Sequence, residues 1–136
     1  MITGKVLDST AVLDIANQDS IYGQALLTVS NRLTHVLAVP MVTLSAAWAH
    51  SAHNPSRLWL DLLVDEDAEP AVVVIPVDAA RAKSAGVLAA DAGQPDAPLG
   101  TVHAAHLALE RSWPVVTRDP DAVLALSSGV RTETIP

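Results

Sequence analysis

The sequence predicts a three-layer α/β fold, with a central, mostly parallel sheet of four to five strands flanked by helices, in one domain spanning residues 1–136. Three observations predict it. Short β-branched runs alternate with longer stretches of strong helix formers, the pattern of a parallel sheet with helical crossovers. No internal repeat or low-complexity linker divides the chain. Two of the expected strands end in a carboxylate, Asp8 and Asp119. In an open parallel sheet ligands gather at the carboxyl ends of strands, so acids placed there belong to a site rather than to the core.

Lys5-Val6-Leu7-Asp8 reads as the first strand, and Ser9 and Thr10 as caps of the helix that follows. After the polar turn Asn17-Gln18-Asp19-Ser20, Ser20 caps a second helix running to about Leu33, with Ile21, Ala25, Val29 and Leu33 on one apolar face and Leu26 and Leu27 beside it. Leu37 to Pro40 is expected to cross over the domain. Pro40 suits the first turn of the next helix, Met41 to about His50, which is apolar nearly all round. Asn54-Pro55-Ser56 opens a helix bearing Leu58, Leu60, Leu62 and Leu63, and the acidic run Asp65-Glu66-Asp67 behind it reads as a solvated loop. Ala71 to Ile75, AVVVI, is the clearest candidate for a buried strand, and Asp78 to about Ala90 is a helix.

From Val102 to Arg111 there is neither Gly nor Pro, and small or apolar residues recur on a broad face. Pro114 stops that helix, Val115 and Val116 continue as a strand, and Thr117-Arg118-Asp119 ends it. Pro120-Asp121 opens a short helix through Leu126, and Val130 to Ile135 alternates as an edge strand. Strands are therefore expected near residues 4–8, 71–75, 114–118 and 130–135.

Composition bounds the function. Half of the 136 residues are hydrophobic, yet Phe is absent and there is one Tyr, so the core is built from Ala, Val and Leu. With no cysteine there are no disulfides and no thiolate metal sites, which fits a reducing compartment. No apolar stretch approaches the roughly 18 residues of a membrane span, and no signal-like start is present, so a cytoplasmic location is expected. A formal charge of −7 with eight Lys and Arg argues against a dedicated DNA-binding surface, although RNA can dock on a local basic rim.

The segments VLDSTAVLDI, VPMVTLSAAW and HAAHLALERSWPVVTRDPD, in that order and spacing, resemble the successive motifs of the PIN domain, a nuclease fold best known from toxins of toxin–antitoxin pairs. The resemblance spans nearly the whole chain. It implies acidic side chains at the carboxyl edge that hold Mg²⁺ or Mn²⁺ and activate water against an RNA phosphodiester. Carried over residue by residue, Asp8 matches the first acidic position, Asp119 the late one, and Asp121 an accessory acid. Two positions depart from the pattern. Ala46 stands where the family carries Glu, and Thr101 where it carries Asp.

The resemblance thus implies a degenerate PIN-like domain in which Asp8 and Asp119, with Asp121, hold Mg²⁺ or Mn²⁺ weakly or not at all, Ala46 and Thr101 line the pocket, and catalysis is largely lost. Asp96 is a remote substitute carboxylate. A binding role, through an antitoxin-like partner or RNA and as a homodimer, is the leading expectation. The competing ones are a weak Mg²⁺- or Mn²⁺-dependent ribonuclease of toxin–antitoxin type and a purely structural interaction domain.

Other candidates have ordinary readings beside them. His103, His106 and Glu110 share one helix face, and the His-x-x-His spacing, repeated at His50 and His53, suits Zn²⁺ if the two pairs meet. A half-exposed polar face accounts for them as well. Trp48, Trp59 and Trp113 read as core anchors.

Overall fold

The computed structural model describes residues 3–51, 54–65 and 72–136. Five strands, β1 (Gly4–Leu7), β2 (Val36–Pro40), β3 (Val73–Ile75), β4 (Val115–Thr117) and β5 (Thr132–Thr134), form one sheet in the order β3-β2-β1-β4-β5, every pair parallel. The helices are α1 (Ser9–Asn17), α2 (Ile21–Leu33), α3 (Met41–His50), α4 (Asn54–Leu63), α5 (Ala79–Asp91), α6 (Leu99–Arg111) and α7 (Pro120–Leu124).

Successive strand residues point to opposite faces, and the two cores follow that alternation. Leu7, Leu37, Val39 and Val116 pack under α1 to α4, against Val12, Ile15, Leu26, Leu44 and Leu60. Val6, Ala38 and Val115 pack under α5 to α7, against Ala85, Val102, Ala105 and Val123. The result is the expected three-layer arrangement, with β1 in the middle of the sheet and its carboxyl end central to that edge.

Several elements differ from expectation for identifiable reasons. Val36–Pro40 is not a crossover but an interior strand, paired with both β1 and β3. Its five residues end in a proline that also opens α3, so the helix-start signal masks the strand. With β2 interior, β3 becomes an edge strand, and Val73 is 47% exposed despite its apolar run. The acids Glu66 and Asp67, His53 and Ala71 lie outside the described residues, while Asp65 is half-buried.

The helix α2 is turned relative to the expected stripe. Ile21 (89% exposed), Val29 and Leu33 face outward, while Gly23, Leu26 and Ser30 are buried. The cause is Gly23, where a Cβ would stand 2.5 Å from Asp14 Oδ2. The face carrying the smallest residue is the one that can dock on α1. Trp59 is exposed rather than a core anchor, whereas Trp48 and Trp113 pack against the two cores. Among the described residues no helix is long and apolar enough to cross a membrane.

Candidate functional site at the carboxyl edge

Asp8 and Asp119 leave the ends of adjacent parallel strands, β1 and β4, at the same edge of the sheet. Asp8 is the N-cap of α1: its Oδ1 accepts from the Ala11 N–H at 3.0 Å and from the Thr10 hydroxyl at 2.6 Å. Only 2% of the residue is exposed. Burial pushes its carboxyl above the usual value, and hydrogen bonds from Thr10, Thr117 and Ala11 pull in the other direction without cancelling it. Asp119 caps the short helix α7, its Oδ1 accepting from the Ala122 N–H at 3.3 Å. Asp121 sits in the exposed first turn of α7.

The two strand ends are joined by hydroxyls. Thr10 Oγ1 lies 3.5 Å from Thr117 Oγ1 and accepts from the Arg118 N–H at 2.9 Å. Thr117 Oγ1 accepts from the Asp119 N–H at 2.9 Å. An unbroken path of side-chain and main-chain contacts therefore runs from the Asp8 carboxylate to the Asp119 backbone.

On the other side of β1, α3 and α6 meet where the resemblance places two further acids. Ala46 and Thr101 are both half-buried. An ideal Cβ on Gly100 would lie 3.0 Å from the Ala46 Cβ, 3.4 Å from the Thr43 Cα and 3.8 Å from the Ser9 Oγ. The buried Thr43 hydroxyl donates to the Gly100 carbonyl at 2.7 Å, locking the seam. Ser9 follows Asp8 directly, so this contact closes against the same edge. Among the described residues there is no group of three or more His, Asp or Glu side chains placed to hold a metal ion. The donors present toward an Mg²⁺ or Mn²⁺ ion are the Asp8 and Asp119 carboxylates, each with one oxygen already committed to an N-cap.

A third carboxylate lies nearby in a separate setting. Asp14, fully buried on α1, accepts from the Ser20 hydroxyl through Oδ2 at 2.7 Å, while its Oδ1 has no hydrogen-bond partner. The Arg118 guanidinium stands 3.6 Å from that oxygen and 3.6 Å from Asp19 Oδ2. Arg118 is thus held at both ends, by Thr10 through its backbone and by two acids through its side chain.

The histidine face resolves differently from expectation. His103 is buried, 8% exposed, and both burial and the nearby His106 hold its pKa below the usual histidine value. His106 lies 4.0 Å from Glu110, whose carboxylate takes two hydrogen bonds from Arg81 that lower its pKa. Asp96 lies exposed in the turn before α6. The residues that sequence reasoning underrated are Thr10, Thr117, Asp14 and Arg118. A hydroxyl two residues after Asp8 and another two before Asp119 were the available signal for the first pair. An acid on the apolar stripe of α1 was the signal for the second.

No protein-family model and no curated protein matches the chain. Solved structures do. VapBC2 from Rickettsia felis, bound to a DNA fragment from their promoter, is 12% identical with a TM-score of 0.71, covering 97% of this chain and 98% of that one. DNA-bound VapBC from Salmonella typhimurium is 17% identical with a TM-score of 0.72, covering 98% of each. FitAB bound to an IR36 DNA fragment is 17% identical with a TM-score of 0.63, covering 96% of this chain and 94% of that one. Identities this low speak to the fold alone. The chain has the PIN-like fold that its motif order resembles.

Proposed function

We propose that this chain is a PIN-like module of the toxin–antitoxin type that works by binding a small protein partner and has little or no nuclease activity. The observation that carries the reading is the α3–α6 seam. Where the resemblance expects further carboxylates, at Ala46 and Thr101, Ala46 packs beside Gly100, the residue before Thr101, and Thr43 ties the helices together. Two carboxylates plus water can hold Mg²⁺ or Mn²⁺ weakly, and a weakly populated, poorly oriented ion activates little water. Asp8 and Asp119 are the vestigial catalytic and metal residues of this reading, with Asp121 peripheral.

The partner side rests on exposed apolar surface. Between α1, α2 and α4 runs a groove lined by Ile15, Ala16, Leu27, Trp59, Leu62 and Leu63, with the polar Gln18 and Gln24 beside them. Leu58 on α4 and Ile21 on α2 are exposed as well. Apolar side chains left outside on a small domain mark an interface, and a groove between helices suits the apolar face of an amphipathic helix. The neighbours in VapBC and FitAB assemblies are two-component by name, which favours a heterologous partner. With eight Lys and Arg against fifteen acids, contact with DNA in such an assembly falls to the partner. Val29 and Leu33 on the outer face of α2 are the surface of a homodimer in the same reading.

The test has two arms. Single-stranded RNA is incubated with the chain and with Asp8→Asn in Mg²⁺ or Mn²⁺. The product of the adjacent reading frame is titrated while Trp fluorescence is followed, because burial of Trp59 shifts emission to the blue. No RNA cleavage together with a saturable shift that Leu62→Asp abolishes is expected. Robust cleavage that disappears in Asp8→Asn overturns the non-catalytic reading in favour of a working ribonuclease.

A further inference from the structure

The geometry points to Thr10 as the positioning residue that couples Asp8 to the turn bearing Asp119, so that the two strand-end acids move as one unit. This inference deepens the site reading above and rests on it only for the claim that these two acids form the site.

A threonine hydroxyl carries one proton and two lone pairs. In this chain the proton is committed to Asp8 Oδ1 at 2.6 Å, the short distance of a bond to a carboxylate. The oxygen is then left to accept, and it accepts the Arg118 N–H at 2.9 Å. The Arg118 N–H belongs to the peptide that links Thr117 to Arg118, one residue before Asp119. Thr117 Oγ1, 3.5 Å from the Thr10 oxygen, receives the Asp119 N–H at 2.9 Å. Each step fixes the direction of the next. A change in the Asp8 carboxylate alters how firmly the Thr10 proton is held and hence how good an acceptor its oxygen is.

Capping does not require this arrangement. Asp8 already caps α1 through the Ala11 N–H without Thr10. The exit of β4 is exposed at Arg118 and its ladder ends at Thr117, so the Thr10 hydroxyl supplies an anchor to the backbone there that the sheet does not. The β-branched methyl of Thr10 stiffens χ1 and keeps the hydroxyl aimed at that anchor.

The experiment is amide hydrogen exchange by NMR on the full chain for wild type, Thr10→Val and Thr10→Ser, without metal. Thr10→Val keeps the shape and removes the hydroxyl. Loss of one hydrogen bond predicts exchange at the Arg118 amide faster by about fivefold, with a smaller rise at Asp119, and no change beyond about twofold at core amides such as Val12 and Val102. Thr10→Ser is expected to return Arg118 to within about twofold of wild type. A purely structural Thr10 would instead change exchange across α1 and β4 together. A uniform rise of that kind, an Arg118 amide unprotected in wild type, or an Arg118 rate unmoved by Thr10→Val would each overturn the inference. Since the readout needs no ion, a chain that binds no Mn²⁺ would remove the metal reading of Asp8 and Asp119 and leave exchange to decide Thr10.

Discussion

Gly100→Ala puts one methyl into the close contact between α3 and α6, and its cost can be worked from the seam. The new Cβ would stand 3.0 Å from the Ala46 Cβ, against an optimum of about 3.5–4.0 Å between carbons, so α3 and α6 must part by roughly 0.5–1 Å. Overpacking of this size costs about 1–3 kcal/mol. Removing a helical glycine returns up to about 1 kcal/mol, less in a first turn. A net loss of about 0.5–2 kcal/mol is expected, or a fall of roughly 4 °C in Tm per kcal/mol. Ala46→Gly alone should cost about 1 kcal/mol through helix propensity. Combined, the two changes restore the missing space, and the double variant should be more stable than the sum of the singles by about 1 kcal/mol or more. Urea denaturation of the four chains at fixed pH measures the cycle. Additivity to within about 0.5 kcal/mol would show that the helices do not touch through these residues and that the pocket is open there.

Three further outcomes follow from the same edge. Because burial raises the Asp8 carboxyl above its ordinary value of 3.8, its contribution to stability is fully present below that pH and is lost as pH rises through the folded value; the gap between Asp8→Asn and wild type should therefore shift in favour of the variant as pH increases, and a urea midpoint difference independent of pH would refute it. Arg118→Met leaves the fully buried Asp14 without its nearest cation and should cost about 1–3 kcal/mol, reduced from the fully buried case because 42% of the Arg118 side chain is exposed; recovery of that loss in Arg118→Met with Asp14→Asn is the check. Ala46→Glu with Thr101→Asp should strengthen Mn²⁺ binding on the order of tenfold, about 1.4 kcal/mol of added attraction, as read by calorimetry, and an affinity equal to wild type would mean that the closed seam keeps the new carboxylates from the ion.

Much of the fold was legible because the chain writes parallel-sheet physics in short segments. The strand-to-cap step from β1 through Asp8 into α1, the β-branched run at β4, the Pro40 start of α3 and the Asp78 cap of α5 each announce themselves locally, and each is where the sequence places it. The elements that misled depend on what lies beside them. Val36–Pro40 is a strand because β1 and β3 flank it, and nothing within its five residues distinguishes that from an extended crossover. The outward stripe of α2 is as apolar as a core face, and only the close approach at Gly23 decides which side docks.

The candidate site divides along the same line. The identities at Asp8, Ala46, Thr101 and Asp119 could be read from motif order, since an absent carboxylate is as visible in a sequence as a present one. What those absences become in space could not. At the position where the resemblance expects Glu, the small residue at Gly100 lets α6 close on Ala46, and Thr43 hydrogen-bonds across the same approach. The same holds for Thr10, which in sequence is one more helix-start hydroxyl and in the fold hydrogen-bonds both to the Asp8 carboxylate and to the Arg118 N–H leaving β4. A site made of strand ends is written in distant parts of the chain, so its members can be named one at a time, whereas the bonds between them exist only once the sheet has set β1 beside β4.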